Sequence, residues 1–399
     1  MARLTLVKVA LLSDCYLPRL GGIEVQVHDL AHRLSAAGHE VEVVTATPAD
    51  TRATTSGPET DESGVSGTTS VMVHRLPLSI PGAPPVNPFV KDEVRTLLTA
   101  GGFDVVHGHM GVVSPFATDM IGVAVEAGLP TAATWHCVID RSAPLFRALG
   151  HARRWAGAGV ALSAVSSMAA ERVSRVAGAD HGARPEVHVL GNGIDVDRWT
   201  SGTSVARPDD GVVRVVTAMR LVRRKRPGAL IDVLRSAREQ LDALAPGVRL
   251  EAHLVGDGPQ RRLIRAHLAR HGISWIRLPG RVSRDELRDL HRRSDIYLST
   301  ARLEAFGIAA LEARTAGLAV VSLRGTGVED FVTDGRNGIL RGSDEALATG
   351  LAELAGNPAR LAQVRAHNLA TPPDQAWERV VESTLAEYAR AQRLHGRAS

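Results

Sequence analysis

Cysteine is almost missing from this 399-residue chain, with Cys15 and Cys137 the only two. No disulfide framework can be built from them, which fits a reducing compartment and predicts a cytoplasmic protein. Aromatic residues make up only 4%, and no Lys/Arg stripe is interleaved with them, so nothing prompts a nucleic-acid partner. Lysine is scarcer still: of 47 basic residues only Lys8, Lys91 and Lys225 are lysines. No apolar run reaches the roughly 18 residues of a membrane span. The opening MARLTLVKVALLSDC (1–15) is apolar, but Lys8 breaks it and no small-residue cleavage site follows, so it reads as a first strand. Metal-ligand spacing of Cys, His and carboxylates is also lacking; the Asp pair in DVD (195–197) lies in a turn, and no metal is expected.

What is present is an ordinary soluble composition, 44% hydrophobic and 23% charged with a net charge of +4. The length exceeds one ordinary core, so two domains of about 200 residues each are expected. Short Val/Leu/Ile runs alternate with helical patterns throughout, which predicts parallel α/β layering. In the first half, strands are expected at 6–12, 40–45, 71–76, 104–107, 130–135, 159–164 and 186–190, with helices at 23–37, 90–99, 115–127 and 166–177. Residues 48–70 are rich in Ser, Thr, Gly and Pro and read as a mobile surface loop. A linker-like TSGTSVARPDDG (200–211) follows GNGIDVDRW. The alternation then restarts, with strands at 212–218, 249–255, 274–278, 295–299 and 318–323 and helices at 228–243, 260–271, 284–292 and 307–317. A long last helix is expected at 374–394. Two doubly wound domains result, 1–195 and 196–373, with a cleft expected where the carboxyl ends of their strands meet.

Several segments carry candidate chemistry. Gly21-Gly22, between a strand end and an amphipathic helix, permits close backbone approach to an anion at the helix N-terminus, although a plain βα turn explains the pair equally well. His107, His109 and His136 each fall at or near a strand end; His136, facing the expected cleft, is the one expected to reach a substrate. TAMRLVRRKRP (217–227) packs five cations into seven residues. Such a loop repels itself unless an anion is present, and Arg220 and Lys225 can converge on a diphosphate. GDGP (256–259) reads as a tight turn opening a helix, and GTG (325–327) lacks the rest of a dinucleotide fingerprint. In ARLEAFGIAALEARTAG (301–317), Glu304 and Glu312 would stand about 12 Å apart and 80° out of phase on one helix, too far to cooperate. If Glu304 instead precedes a helix starting near Gly307, both can face one ligand.

In order, GGIEVQVHDLAHRLSAAGHEVEVVT, DVVHGH, TWH, GNGID, MRLVRRK, GDGP, EAFGIAALEA and GVEDFVTDGRNGIL resemble the retaining family-4 glycosyltransferases, across nearly the whole chain. The Arg-x4-Lys followed by Glu-x7-Glu is the most specific part. The resemblance implies an α/β protein of the GT-B fold, with two Rossmann-like domains and a C-terminal helix (374–399) packing back on the first. It also implies that a nucleotide-sugar donor is held mainly by the second domain. Glu312 would bind ribose hydroxyls and Glu304 sugar hydroxyls, while Arg220 and Lys225 neutralise the diphosphate. Amides at Phe306, Gly307 and Ile308 would meet phosphate or sugar oxygens. Gly21, Gly22 and Gly256 would line the donor, and His136 would stand by the reacting carbon. The hexosyl unit would pass with retention to a hydroxyl of a lipid or small-molecule acceptor, with no metal required. GDP-mannose is the favoured donor, a UDP-sugar (UDP-GlcNAc or UDP-glucose) the alternative; a non-catalytic protein that only binds nucleotide-sugars is the rival of another class. Residues 141–155, basic and amphipathic, either rest on anionic membrane or pack as an ordinary surface helix. Three departures stand out: Cys137 sits where Asp is common, KRP replaces the usual KG, and STARLEAFG (299–307) lacks the common Pro-Ser opening.

Overall fold

The computed structural model describes residues 6–19, 21–49, 56–60, 69–78, 87–140, 143–178, 184–200, 202 and 210–398. The chain forms two compact units, one of residues 1–193 with 377–399 and one of residues 194–376.

Unit 1 is built on eight strands: β1 (Lys8–Ser13), β2 (Glu40–Thr45), β3 (Gly57–Thr60), β4 (Ser70–Arg75), β5 (Val105–Met110), β6 (Thr131–Trp135), β7 (Ala161–Ala164) and β8 (Val187–Val189). Their order across the sheet is β3-β4-β2-β1-β5-β6-β7-β8, parallel except for β3 against β4. Helices cover both faces, so strands such as VVHGHM of β5 are buried at every position. The helix Trp377–Ala398 belongs to this unit, with Trp377, Tyr388 and Ala391 packed among Val9, Leu11, Val105 and Ala132. At its start, the Trp377 ring lies so close to Gly193 that a Cβ there would fall 2.3 Å from it, leaving room only for glycine.

Unit 2 has six parallel strands: β9 (Val212–Ala218), β10 (Arg249–Val255), β11 (Ile276–Gly280), β12 (Ile296–Ser299), β13 (Ala319–Leu323) and β14 (Gly338–Arg341). The order β11-β10-β9-β12-β13-β14 reverses direction between β9 and β12, the place where doubly wound sheets bind ligands at strand carboxyl ends. One core of Val, Leu, Ile and Ala side chains spans the sheet and its helices.

Three expectations need correction. The polar stretch 48–70 contains β3, whose residues Gly57–Thr60 pair antiparallel with β4; its remaining residues lie largely outside those described, as does most of the 200–211 linker. An edge strand needs only one backbone partner, so composition alone concealed it. Residues 141–155 are not one helix: Gly150 (φ 64°) separates Ala143–Leu149 from His151–Gly157. Ala152 and Trp155 of the second helix are buried, while Arg147, Leu149, Arg153 and Arg154 are exposed. β14 and the helices Asp344–Ala355 and Pro358–Ala370 complete unit 2 beyond the expected strands.

Candidate active site

In unit 2 the chain leaves β9 through Met219–Arg226 and leaves β12 through Thr300–Gly307, so the two loops flank the sheet's switch point. The first loop folds onto the turn after β10: Met219 N–H donates to Val255 O (3.1 Å), Leu221 N–H to Asp257 O (2.9 Å) and Gln260 N–H to Leu221 O (3.0 Å). That approach explains GDGP. Gly256 (φ 126°) would place a Cβ 1.9 Å from Met219 O, and Gly258 one 2.6 Å from Leu221 O. Residues 223–225 then make a 3₁₀ turn that carries Lys225 across to Glu304, where Nζ and Oε2 form a hydrogen-bonded ion pair.

Glu304 lies before the helix and Glu312 inside it, since the helix runs Ile308–Thr315 behind Gly307 (φ 98°). A Cβ on Gly307 would meet Val328 Cγ2 at 2.7 Å, so both the backbone conformation and the space call for glycine. No side chain caps this N-terminus. Its first amides therefore remain available to an anion, in the sense favoured by the helix dipole. Behind the loop, Gly327 N–H donates to Glu304 O (2.9 Å), and a Cβ on Gly327 would lie 2.0 Å from Ala305 O. GTG thus braces EAFG. Phe306 is buried against Phe331, ring centroids 5.4 Å apart. Tyr297 of β12 is buried beneath both acids; burial first, then the charges of Glu304 and Glu312, pushes its phenol above the ordinary value. The structure therefore brings Lys225, Glu304, Glu312 and the helix N-terminus together. Arg220 is exposed on the same loop, with no ion-pair partner among the described residues.

Unit 1 treats its strand ends differently. Asp14, just past β1, is buried and accepts from the amides of Phe116 and Ala117 (3.0 Å each) at the start of helix Pro115–Glu126. Burial pushes its carboxyl up to about 6, against the amides that lower it. Glu24 bends back over Gly21, where a Cβ would fall 2.3 Å from its Oε2, and pairs with Arg19 (3.3 Å). Gly21 itself has an extended φ of −168°. His109 and His136 share a hydrogen bond of 3.0 Å, and His107 sits 4.1 Å from His109, ring centre to centre. Burial lowers all three imidazoles, His107 to about 3, His136 to about 4 and His109 well below its usual value. At neutral pH they are uncharged. Asp14 and Tyr297 were missed from sequence; an acid directly after the first strand and a tyrosine inside an apolar strand give no pattern separable from packing.

The whole-chain architecture matches the crystal structure of Anabaena Alr3699/HepE in complex with UDP and glucose, with a TM-score of 0.67 at 18% identity over 95% of this chain and 98% of that one. It also matches WaaG, a glycosyltransferase involved in lipopolysaccharide biosynthesis, at 0.64 and 21% over 94% and 98%. This is the GT-B fold, the two-sheet scaffold of glycosyltransferases. Family models agree: Glycosyltransferase Family 4 matches residues 20–198 and Glycosyl transferases group 1 matches residues 205–368. The chain belongs to the family-4, group 1 glycosyltransferases and is a glycosyltransferase enzyme. Among its relatives, the D-inositol 3-phosphate glycosyltransferase of Geodermatophilus obscurus is 30% identical over 73% of this chain and 67% of that protein. The Pseudarthrobacter chlorophenolicus enzyme of the same name is 27% identical over 94% and 91%. A component of the phosphatidylinositol N-acetylglucosaminyltransferase of Arabidopsis thaliana is 26% identical over 84% and 71%.

Proposed function

We propose that this enzyme transfers a hexosyl unit, with retention of configuration, from a nucleoside diphosphate sugar to a hydroxyl of an inositol-type acceptor. The observation that carries the reading is Lys225 paired with Glu304 beside an uncapped helix N-terminus at the switch point of unit 2. In this reading the donor diphosphate draws Lys225 and Arg220 to itself, freeing Glu304 to accept from sugar hydroxyls. Glu312 accepts from the ribose hydroxyls, and the amides of Phe306, Gly307 and Ile308 meet phosphate or sugar oxygens. Gly256 shapes the donor loop by letting it pack on Met219.

Retention fits a front-face displacement with an oxocarbenium-like transition state, in which a departing phosphate oxygen takes the acceptor proton. Such a step needs charge stabilisation on the leaving diphosphate more than it needs a general base. The two cations supply that charge, so the proposed chemistry runs without a metal, and turnover in EDTA is expected to equal turnover without it. His136, uncharged and hydrogen-bonded, is assigned to contact the sugar as a neutral partner. An approach of a ligand to Gly21 and Gly22 requires Glu24 and Arg19 to move aside.

For the acceptor, the support is the names of the bacterial and plant relatives, which specify inositol phosphate and phosphatidylinositol. For the donor, UDP in Alr3699/HepE and the N-acetylglucosaminyl group in the Arabidopsis name favour a UDP-sugar over GDP-mannose. With a lipid acceptor, Arg147, Leu149, Arg153 and Arg154 would meet anionic headgroups; no described helix is long and apolar enough to cross a membrane. The test is a thermal-shift panel of UDP, GDP and ADP followed by transfer from the matching sugars to inositol phosphates. Stabilisation by UDP with turnover of a UDP-sugar is expected; stabilisation by none of the three would end the reading.

A further inference from the structure

Arg226 is the one non-glycine residue with positive φ among the described residues (φ 57°, ψ 49°). An arginine in the left-handed region is held there by its surroundings, and such residues gather at functional sites. The surroundings here are specific. The guanidinium grips Asp344 with both outer nitrogens, Nη1 to Oδ1 at 3.0 Å and Nη2 to Oδ2 at 2.5 Å, and Nη1 also donates to Thr300 O at 2.9 Å. Thr300 answers in the other direction: its hydroxyl donates to Arg226 O at 3.3 Å. Asp344 in turn is fixed as the first residue of helix Asp344–Ala355, behind a Ser343 cap, and Arg302 stands 4.0 Å from it.

The consequence lies in what the clamp joins. Arg226 follows Lys225 directly, and Thr300 precedes Glu304 by four residues on the loop that leaves β12. The reciprocal bonds between Arg226 and Thr300 therefore bolt together the two loops that carry the ion pair, and Asp344 anchors both to a helix start. The arginine–aspartate pair holds its carboxylate below the ordinary range and its guanidinium above, as a charge-assisted fork does.

We infer that Arg226, clamped by Asp344 and Thr300, is a positioning residue that sets Lys225 opposite Glu304, and so fixes the cation presented to the donor diphosphate. The inference rests on the donor role proposed above for that pair. It differs from a role in backbone geometry alone, because glycine adopts this φ without strain. If only the turn mattered, Arg226→Gly would be harmless.

The experiment compares Arg226→Gly, Arg226→Ala and Asp344→Asn with the wild type. Only three lysines are present, so 15N-lysine labelling gives three side-chain signals, and Lys225 is assigned by Lys225→Arg. Relative to the wild type, the Lys225 signal is expected to move in Glu304→Gln, which removes the charge it pairs with. In Arg226→Gly and Asp344→Asn it is expected at the Glu304→Gln position even without substrate. With donor, turnover is expected to fall roughly tenfold or more in both, with KM for the donor changed less than about threefold, since misplacement by an ångström or less has effects of this order. Arg226→Ala is expected to lose at least as much. An Arg226→Gly protein with a wild-type Lys225 signal overturns the inference, whatever its turnover. Full turnover in Lys225→Ala or Glu304→Gln would instead remove the donor role of the pair, while the lysine signal still reports on the clamp.

Discussion

At the end of β1, unit 1 fills the N-terminus of helix Pro115–Glu126 with its own carboxylate, Asp14, and lays a second, Glu24, over Gly21. At the end of β12, unit 2 leaves the N-terminus at Gly307 without a side-chain cap and brings Lys225 toward it. The sheets share a winding pattern, yet unit 1 has filled the helix start at Pro115 with its own Asp14, while unit 2 leaves the start at Gly307 uncapped with the Lys225–Glu304 pair beside it. Unit 1 adds three uncharged imidazoles where a charged ligand would want charge. The fold supplies the place in both units; on the function proposed above, it is the side chains that make unit 2 the one to take a diphosphate.

The largest effect should come from unit 2. Lys225→Ala and Arg220→Ala are each expected to lower kcat by roughly a hundredfold or more, the scale of losing one preorganised charge at a developing anion. Steady-state transfer rates check this; losses under tenfold in both would erase the contrast between units.

Next is the pH dependence of unit 1. His107 and His136 titrate below their ordinary 6.5 in the folded protein, at about 3 and about 4. Their contribution is complete above pH 6.5 and lost as pH falls, at up to about 1.4 kcal/mol per pH unit for each histidine. Asp14 acts in the opposite sense. Its raised value of about 6 stabilises the fold as pH drops from 6 toward 4, and offsets about one histidine. Thermal unfolding from pH 7.5 to 5 should show falling stability, with His107→Gln reducing the slope; an unchanged slope would place the acid sensitivity elsewhere, for example at buried His291 in unit 2.

Smaller still, Gly307→Ala should cost about 1–3 kcal/mol, because it strains the backbone and strikes Val328. Gly21→Ala should cost less than about 1 kcal/mol, since its φ is extended and only the flexible Glu24 must yield. Denaturant melts of the two variants test this contrast between two glycines that look alike in sequence.

The long parallel strands were legible because burial on both faces writes them as unbroken apolar runs, as in KVALLS and AVVSL. The junction before Gly307 was legible from spacing, because on one helix two acids eight apart would stand about 12 Å and 80° apart, too far to hold one ligand together. Gly256 showed as a glycine in a turn, but its reason, Met219 O pressing on it, belongs to a neighbouring loop. The Arg226–Asp344 fork joins residues 118 apart and left only a departure, KRP, as its trace. Asp14 was invisible for the same cause, since the amides it accepts from lie about a hundred residues away, whereas β3, paired with the nearby β4, was concealed by its polar edge-strand composition.

The helix Trp377–Ala398 has a consequence for synthesis. Tyr388 reaches His107 (3.0 Å), which bonds Thr134 (2.7 Å) and through it Ser163 (2.7 Å), a polar chain across β5, β6 and β7. Ribosomes make those three strands before unit 2 and this helix after it. Unit 2, one continuous stretch, can fold while translation continues, whereas the earlier-made strands wait with His107 and an apolar face uncovered until their last helix emerges. For that interval the part of the enzyme made first is the part most in need of a chaperone.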